Sequence, residues 1–178
     1  LVATGGTLSS GIELVRAMGG TVVECACVVE LKMFVDPPAE SGLPSRKKSW
    51  EAKGIADGVG VLAVRSFSGA TPSAIEGAVT KLRRDGAKSL ALDLRGNGGG
   101  DRDAAVEAVD LFLDGGKTIA TIRARTGVTV KSASGPAPVR EPVVVLVDAG
   151  TASAAELFSA ALASNRRATL VGQQTYGK

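Results

Sequence analysis

The sequence predicts a layered α/β domain with a mostly parallel central sheet over residues 59–178, preceded by a shorter β-loop-α-β piece over residues 1–31. Two observations carry that expectation. Short apolar runs rich in β-branched residues alternate with segments whose apolar residues recur at helical spacing. The resulting order from residue 59 onward, βαβαβββαβ, calls for crossover connections between parallel strands.

The elements follow in order. Leu1-Val2 reads as a strand end, Ala3 to Thr7 as a tight glycine loop, Leu8 to Met18 as a helix stopped by Gly19-Gly20, and Thr21 to Leu31 as a β-branched strand. Residues 32–58 carry Pro37, Pro38 and Pro44 among Ser, Gly, Lys and Glu, which predicts a linker. Val59 to Phe67 is the first strand of the larger domain. Thr71-Pro72 supplies an N-cap and a first-turn proline for a helix with Ile75, Ala78, Val79 and Leu82 inward, stopped by Gly86. Ser89 to Leu94 is a buried strand that runs into Arg95-Gly96-Asn97-Gly98-Gly99-Gly100, and Asp103 to Leu113 is a second helix. Thr118 to Arg125 and Val128 to Ser132 form a hairpin, Pro142 to Val147 an apolar strand, Ala152 to Ser164 a third helix and Thr169 to Val171 a final strand.

Composition excludes several chemistries. The 178 residues include no histidine, so a Ser-His-Asp triad, a Cys-His pair and a His-ligated metal are all ruled out. Acid–base work falls to Lys, Asp, Glu or Tyr. A net charge of +3 with one Trp, one Tyr and four Phe leaves little on which bases could stack, so no nucleic-acid partner is expected. Cys25 and Cys27 lie two apart in a strand-like run, poorly placed for a disulfide, and read as buried free thiols. No apolar run reaches membrane-spanning length and no signal-peptide pattern is present, but the compartment cannot be read from the chain.

The segment Val143 to Glu156 is the most informative. A buried strand enters a sharp turn of small residues, and Ser153 sits where a helix begins, facing unpaired N–H groups and the positive end of the helix dipole. An oxyanion formed there would be stabilised, each good donor contributing about 3 kcal/mol. A helix cap is the plainer role open to the same serine. The loop Gly98-Gly99-Gly100 follows a neighbouring strand and could bring its N–H groups to Ser153, although turns use glycine widely. Gly172 to Lys178 ends in a lysine 25 residues after Ser153, and a lysine acts as a base only when burial holds it neutral.

LALDLRGNGGG at Leu90 to Gly100, TASAAE at Thr151 to Glu156 and GQQTYGK at Gly172 to Lys178 resemble, in order and spacing, three blocks of the C-terminal processing peptidases, also called tail-specific proteases. The resemblance covers residues 59–178. It implies a serine endopeptidase that cleaves protein C-terminal regions through an acyl-enzyme. Ser153 would be the nucleophile, Lys178 the general base, Glu156 a support beside the dyad, and the N–H groups of Gly99 and Ala154 the oxyanion hole. It implies no cofactor, a protein or peptide substrate with a C-terminal tail, and the bacterial periplasm or thylakoid lumen as compartment. The family's PDZ-like domain is not legible ahead of the core, and its further strands and helices after the lysine, which should help bury it, are not in this chain. The chain is therefore expected to be truncated at its C-terminal end and part of a larger protein or complex.

The first 31 residues resemble the last part of an adenine phosphoribosyltransferase, with Ala3, Thr4, Gly5, Gly6 and Thr7 as a phosphate cradle. That resemblance implies a purine-salvage transferase using Mg²⁺ as the alternative activity. A non-catalytic structural or interaction subunit is the third expectation.

Overall fold

The computed structural model describes residues 50–56, 58–125 and 127–178, with side chains from residue 58 onward. They lie in one compact unit, Ser49–Lys178. The phosphoribosyltransferase-like piece, its candidate loop Ala3 to Thr7, and Cys25 and Cys27 lie outside the described residues.

Strands β1 (Trp50–Ala56), β2 (Val59–Val64), β3 (Ser89–Asp93), β6 (Val143–Val147) and β7 (Ala168–Gly172) form one sheet in the order β1-β2-β3-β6-β7. The β2-β3, β3-β6 and β6-β7 pairs are parallel, and only β1 pairs antiparallel. Helices α1 (Thr71–Arg84), α2 (Arg102–Asp110) and α3 (Ala154–Ser164) lie on the crossovers. Each crossover steps one strand in the same direction, so right-handed connections put all three helices on one face. Packing of α1 on α2 and of α2 on α3 agrees with that layer. The hairpin of β4 (Thr118–Ala124) and β5 (Gly127–Ser132) forms a separate two-stranded sheet.

The apolar runs become strands because they can be buried: Leu62, Val64, Leu90, Leu92 and Val145 are all fully inaccessible or nearly so. The helices meet them with Ile75, Val79, Leu82, Val109, Phe158 and Leu162. Phe158 is the hub of this layer, its ring 5.4 Å from Phe67 and 5.8 Å, edge-on, from Phe112.

Four expectations need correction. The linker 32–58 runs too far, because Trp50–Ala56 pairs with β2 as an edge strand; a free strand edge supplies the hydrogen bonds that local composition does not advertise. The first parallel strand stops at Val64, since Phe67 leaves the ladder to bridge the glycine loop, donating to the Gly99 carbonyl at 2.8 Å and accepting from Asp101 N–H at 2.9 Å. Thr71 is the first helical residue of α1 and not its cap; its hydroxyl accepts from Ser68 N–H at 2.9 Å. Helix α2 begins one residue earlier, capped by the Asp101 carboxylate, and ends at Asp110 instead of Leu113. Past Asp110 the backbone tightens, Phe112 N–H donating to the Val109 carbonyl at 2.9 Å, and the Leu111 and Phe112 carbonyls accept from Val139 N–H and from Arg167 Nε.

Candidate active site

Four loops leave the carboxyl ends of β2, β3, β6 and β7 and meet at one edge of the sheet, where open α/β sheets hold their ligands. The turn after β6 is built by Asp148 and Thr151. Asp148 Oδ1 accepts from Gly150 N–H at 2.9 Å, and the buried Thr151 hydroxyl accepts from Asp148 N–H at 3.0 Å. Across the gap, Gly96 N–H donates to Asp148 Oδ1 at 2.8 Å and the Thr151 hydroxyl donates to the Leu94 carbonyl at 2.9 Å. The two loops are thereby stitched side by side.

That turn delivers Ser153 in an unusual conformation, with φ +55° and ψ −119°. Backbone of this kind in a residue with a side chain costs on the order of 1–3 kcal/mol and persists only where the surroundings impose it. It places the half-buried serine directly ahead of α3, with Ala154 as the first helical residue. The Glu156 amide lies over Ser153 and donates to its carbonyl at 2.9 Å, while Ser153 N–H donates to Glu156 Oε2 at 2.8 Å. The helix start is thus served by the Ser153 carbonyl and the Glu156 carboxylate, in a capping-box arrangement of Ser153 and Glu156.

Glu156 gathers the site. Its Oε1 accepts from the Thr175 hydroxyl at 2.7 Å and from Gly177 N–H at 2.7 Å; its Oε2 accepts from Lys178 N–H at 3.0 Å as well as from Ser153 N–H. Hydrogen bonds from Lys178 N–H, Thr175, Gly177 N–H and Ser153 N–H hold its carboxyl down at about 2. One oxygen therefore carries the backbones of Ser153 and Lys178 together. Tyr176 N–H, donating to the Thr151 carbonyl at 2.9 Å, docks the same segment on the serine turn.

The glycine loop closes the other side. A Cβ added at Gly99, where φ is +102°, would stand 2.8 Å from Ser153 Cβ and from the Ala152 carbonyl and 2.9 Å from Ala154 N. The bare Cα is what allows this approach. The Gly99 N–H, expected to face a substrate, instead donates to Asn97 Oδ1 at 2.9 Å. Lys178, the last residue given, has an exposed side chain. Asn97, Asp148, Thr151 and Thr175 received no role from the sequence. Their bonds span up to 57 residues, and the only local signal was that Asn97, Thr151 and Thr175 lie inside the motif blocks and Asp148 just ahead of one. Among the described residues no group of three or more His, Cys, Asp or Glu side chains could hold a metal ion, and no helix is long and apolar enough to cross a membrane.

A one-sided α/β sheet presenting a strained serine at a helix start, beside a glycine loop and a lysine-bearing strap, defines the class. Residues 58–178 match the model of peptidase family S41, and the chain belongs to that family. It is 40% identical over 121 residues to the carboxy-terminal processing protease CtpA of Bacillus subtilis (strain 168), covering 67% of this chain and 26% of the relative. It is also 40% identical over 121 residues to carboxyl-terminal-processing peptidase 3, chloroplastic, of Arabidopsis thaliana, covering 67% and 23%. Among solved structures, the photosystem II D1 C-terminal processing protease superposes with a TM-score of 0.63 at 35% identity, over 67% of this chain and 31% of that one. The chain thus spans about a quarter of the curated relatives it matches.

Proposed function

We propose that residues 58–178 form the catalytic core of a serine endopeptidase that cleaves the C-terminal regions of proteins, with Ser153 as nucleophile and Lys178 as general base. The observation that carries this is the left-handed backbone of Ser153 at the mouth of α3, a strain that a helix cap does not require. In this mechanism Lys178 takes the Ser153 hydroxyl proton as the oxygen attacks the scissile carbonyl, a role that requires its unprotonated form. The oxyanion forms against Ala154 N–H and the positive end of α3. The proton passes to the departing amine, and water then hydrolyses the ester. Glu156 holds the backbones of nucleophile and base on one carboxylate. The names of the relatives, all C-terminal processing enzymes and one of them chloroplastic, support a protein tail as substrate and a thylakoid-lumen or periplasmic setting.

The test is release of a C-terminal peptide from a tailed protein substrate, followed by mass spectrometry, for the chain and its Ser153→Ala variant. Cleavage by the chain and none by the variant is expected; cleavage that survives the substitution overturns the assignment.

A further inference from the structure

We propose that Asn97 is a positioning residue that sets the glycine loop against Ser153; the inference rests on the nucleophile assignment above. Asn97 is fully buried, and all four of its polar groups reach different parts of the site. Its Nδ2 donates to the Val64 carbonyl at the end of β2 at 2.8 Å, and its Oδ1 accepts from Gly99 N–H at 2.9 Å. Its backbone N–H donates to the Leu94 carbonyl at 3.0 Å, and its carbonyl accepts from Ala152 N–H, directly ahead of the nucleophile, at 2.9 Å. One side chain therefore fixes the orientation of the 98–99 peptide relative to β2, while the same residue's backbone holds the Ser153 turn. The close approach of the loop makes this consequential, since even a methyl group added at Gly99 would stand 2.8 Å from Ser153 Cβ and 2.9 Å from Ala154 N. The same bond turns the Gly99 amide toward Asn97, so the loop contributes shape at the nucleophile.

The conservative substitution gives a pH signature that packing alone would not. In Asn97→Asp the carboxylate still accepts from Gly99 N–H but opposes the Val64 carbonyl. Once protonated it donates there as the amide does, and burial raises the pH at which that happens. Labelling of Ser153 by a fluorophosphonate, in which Oγ bonds phosphorus and fluoride leaves, reads the nucleophile without a known substrate. With folding verified by circular dichroism, Asn97→Ala should label about tenfold to a hundredfold more slowly than the unsubstituted chain. The rate of Asn97→Asp relative to the unsubstituted chain should rise at least about threefold from about pH 8 to about pH 5.5. Arg65 after β2, Asp93 and Arg95 on β3 and its loop, Asp148 after β6 and Glu156 on α3 are common to both proteins, so their own titration cancels in that ratio. Labelling of Asn97→Ala within about twofold of the unsubstituted chain, or a flat ratio for Asn97→Asp, overturns this inference alone. No labelling of Ser153 in the unsubstituted chain overturns both it and the nucleophile assignment.

Discussion

Ser153 carries its strain in the backbone, so its side chain and its φ can be tested apart. Glycine adopts φ +55° freely, whereas alanine does not. Both Ser153→Gly and Ser153→Ala should abolish tail cleavage, but the glycine variant should be the more stable by about 1 kcal/mol in urea denaturation, after glycine's own entropic cost. Equal stabilities would mean that the turn is relaxed. Glu156 gives a second residue-scale prediction. Its carboxyl is held at about 2, against an ordinary 4.5, by hydrogen bonds that favour the ionised form. A depressed folded-state value contributes stability that is complete above about 4.5 and is lost as pH falls through about 2. Melting temperature followed from about pH 5 to about pH 2.5 should therefore fall less steeply for Glu156→Gln than for the unsubstituted chain. The same variant should increase protease cutting after Tyr176 or near Gln173, because glutamine keeps only one of the two oxygens that accept from Thr175, Gly177, Lys178 and Ser153.

Elements place these residues through contacts that tolerate no added volume. Gly99→Ala would drive a methyl group to within 2.8 Å of Ser153 Cβ at a φ of +102°. A loss of about 2 kcal/mol or more is expected from strain and crowding together, read as a lower urea midpoint, with slowed labelling of Ser153. Helix α3 must stay seated for its first turn to meet the glycine loop, and Phe158 seats it between Phe67 and Phe112. Phe158→Ala should cost about 3–5 kcal/mol, and the urea midpoint measures it. Leu157, one residue away but half-buried, should cost clearly less when cut to alanine.

At the scale of the whole molecule, the site exists because neighbouring parallel strands, remote in sequence, end at one edge. Thr151 is the pin between the β3 and β6 loops, and Thr151→Val keeps its shape while removing the hydroxyl's hydrogen bonds to Asp148 N–H, the Leu94 carbonyl and Asp148 Oδ1. A loss of about 1–3 kcal/mol is expected, since Asp148 N–H is left without its partner. Because the pin spans 57 residues, that loss should appear as faster unfolding of the full domain in stopped-flow measurements and not as local fraying.

The alternation of buried strands with amphipathic helices was legible from residue 59 onward, as was a serine at the start of α3, because burial period and helix starts are local properties of the chain. Edge strand β1 was not legible, since proline and glycine nearby masked a segment whose hydrogen bonds come from β2. The motif blocks pointed to Ser153, Glu156 and Lys178, but not to the latch formed by Asn97 or to the left-handed φ of the serine. Asn97 reaches Val64 across 33 residues, and Glu156 reaches Gly177 and Lys178 across 21 and 22. Strand order decides which of those partners meet, and no periodicity along the chain encodes strand order. Local patterning therefore determined the elements and the chemistry at hand, while only tertiary packing decided the geometry in which that chemistry is held.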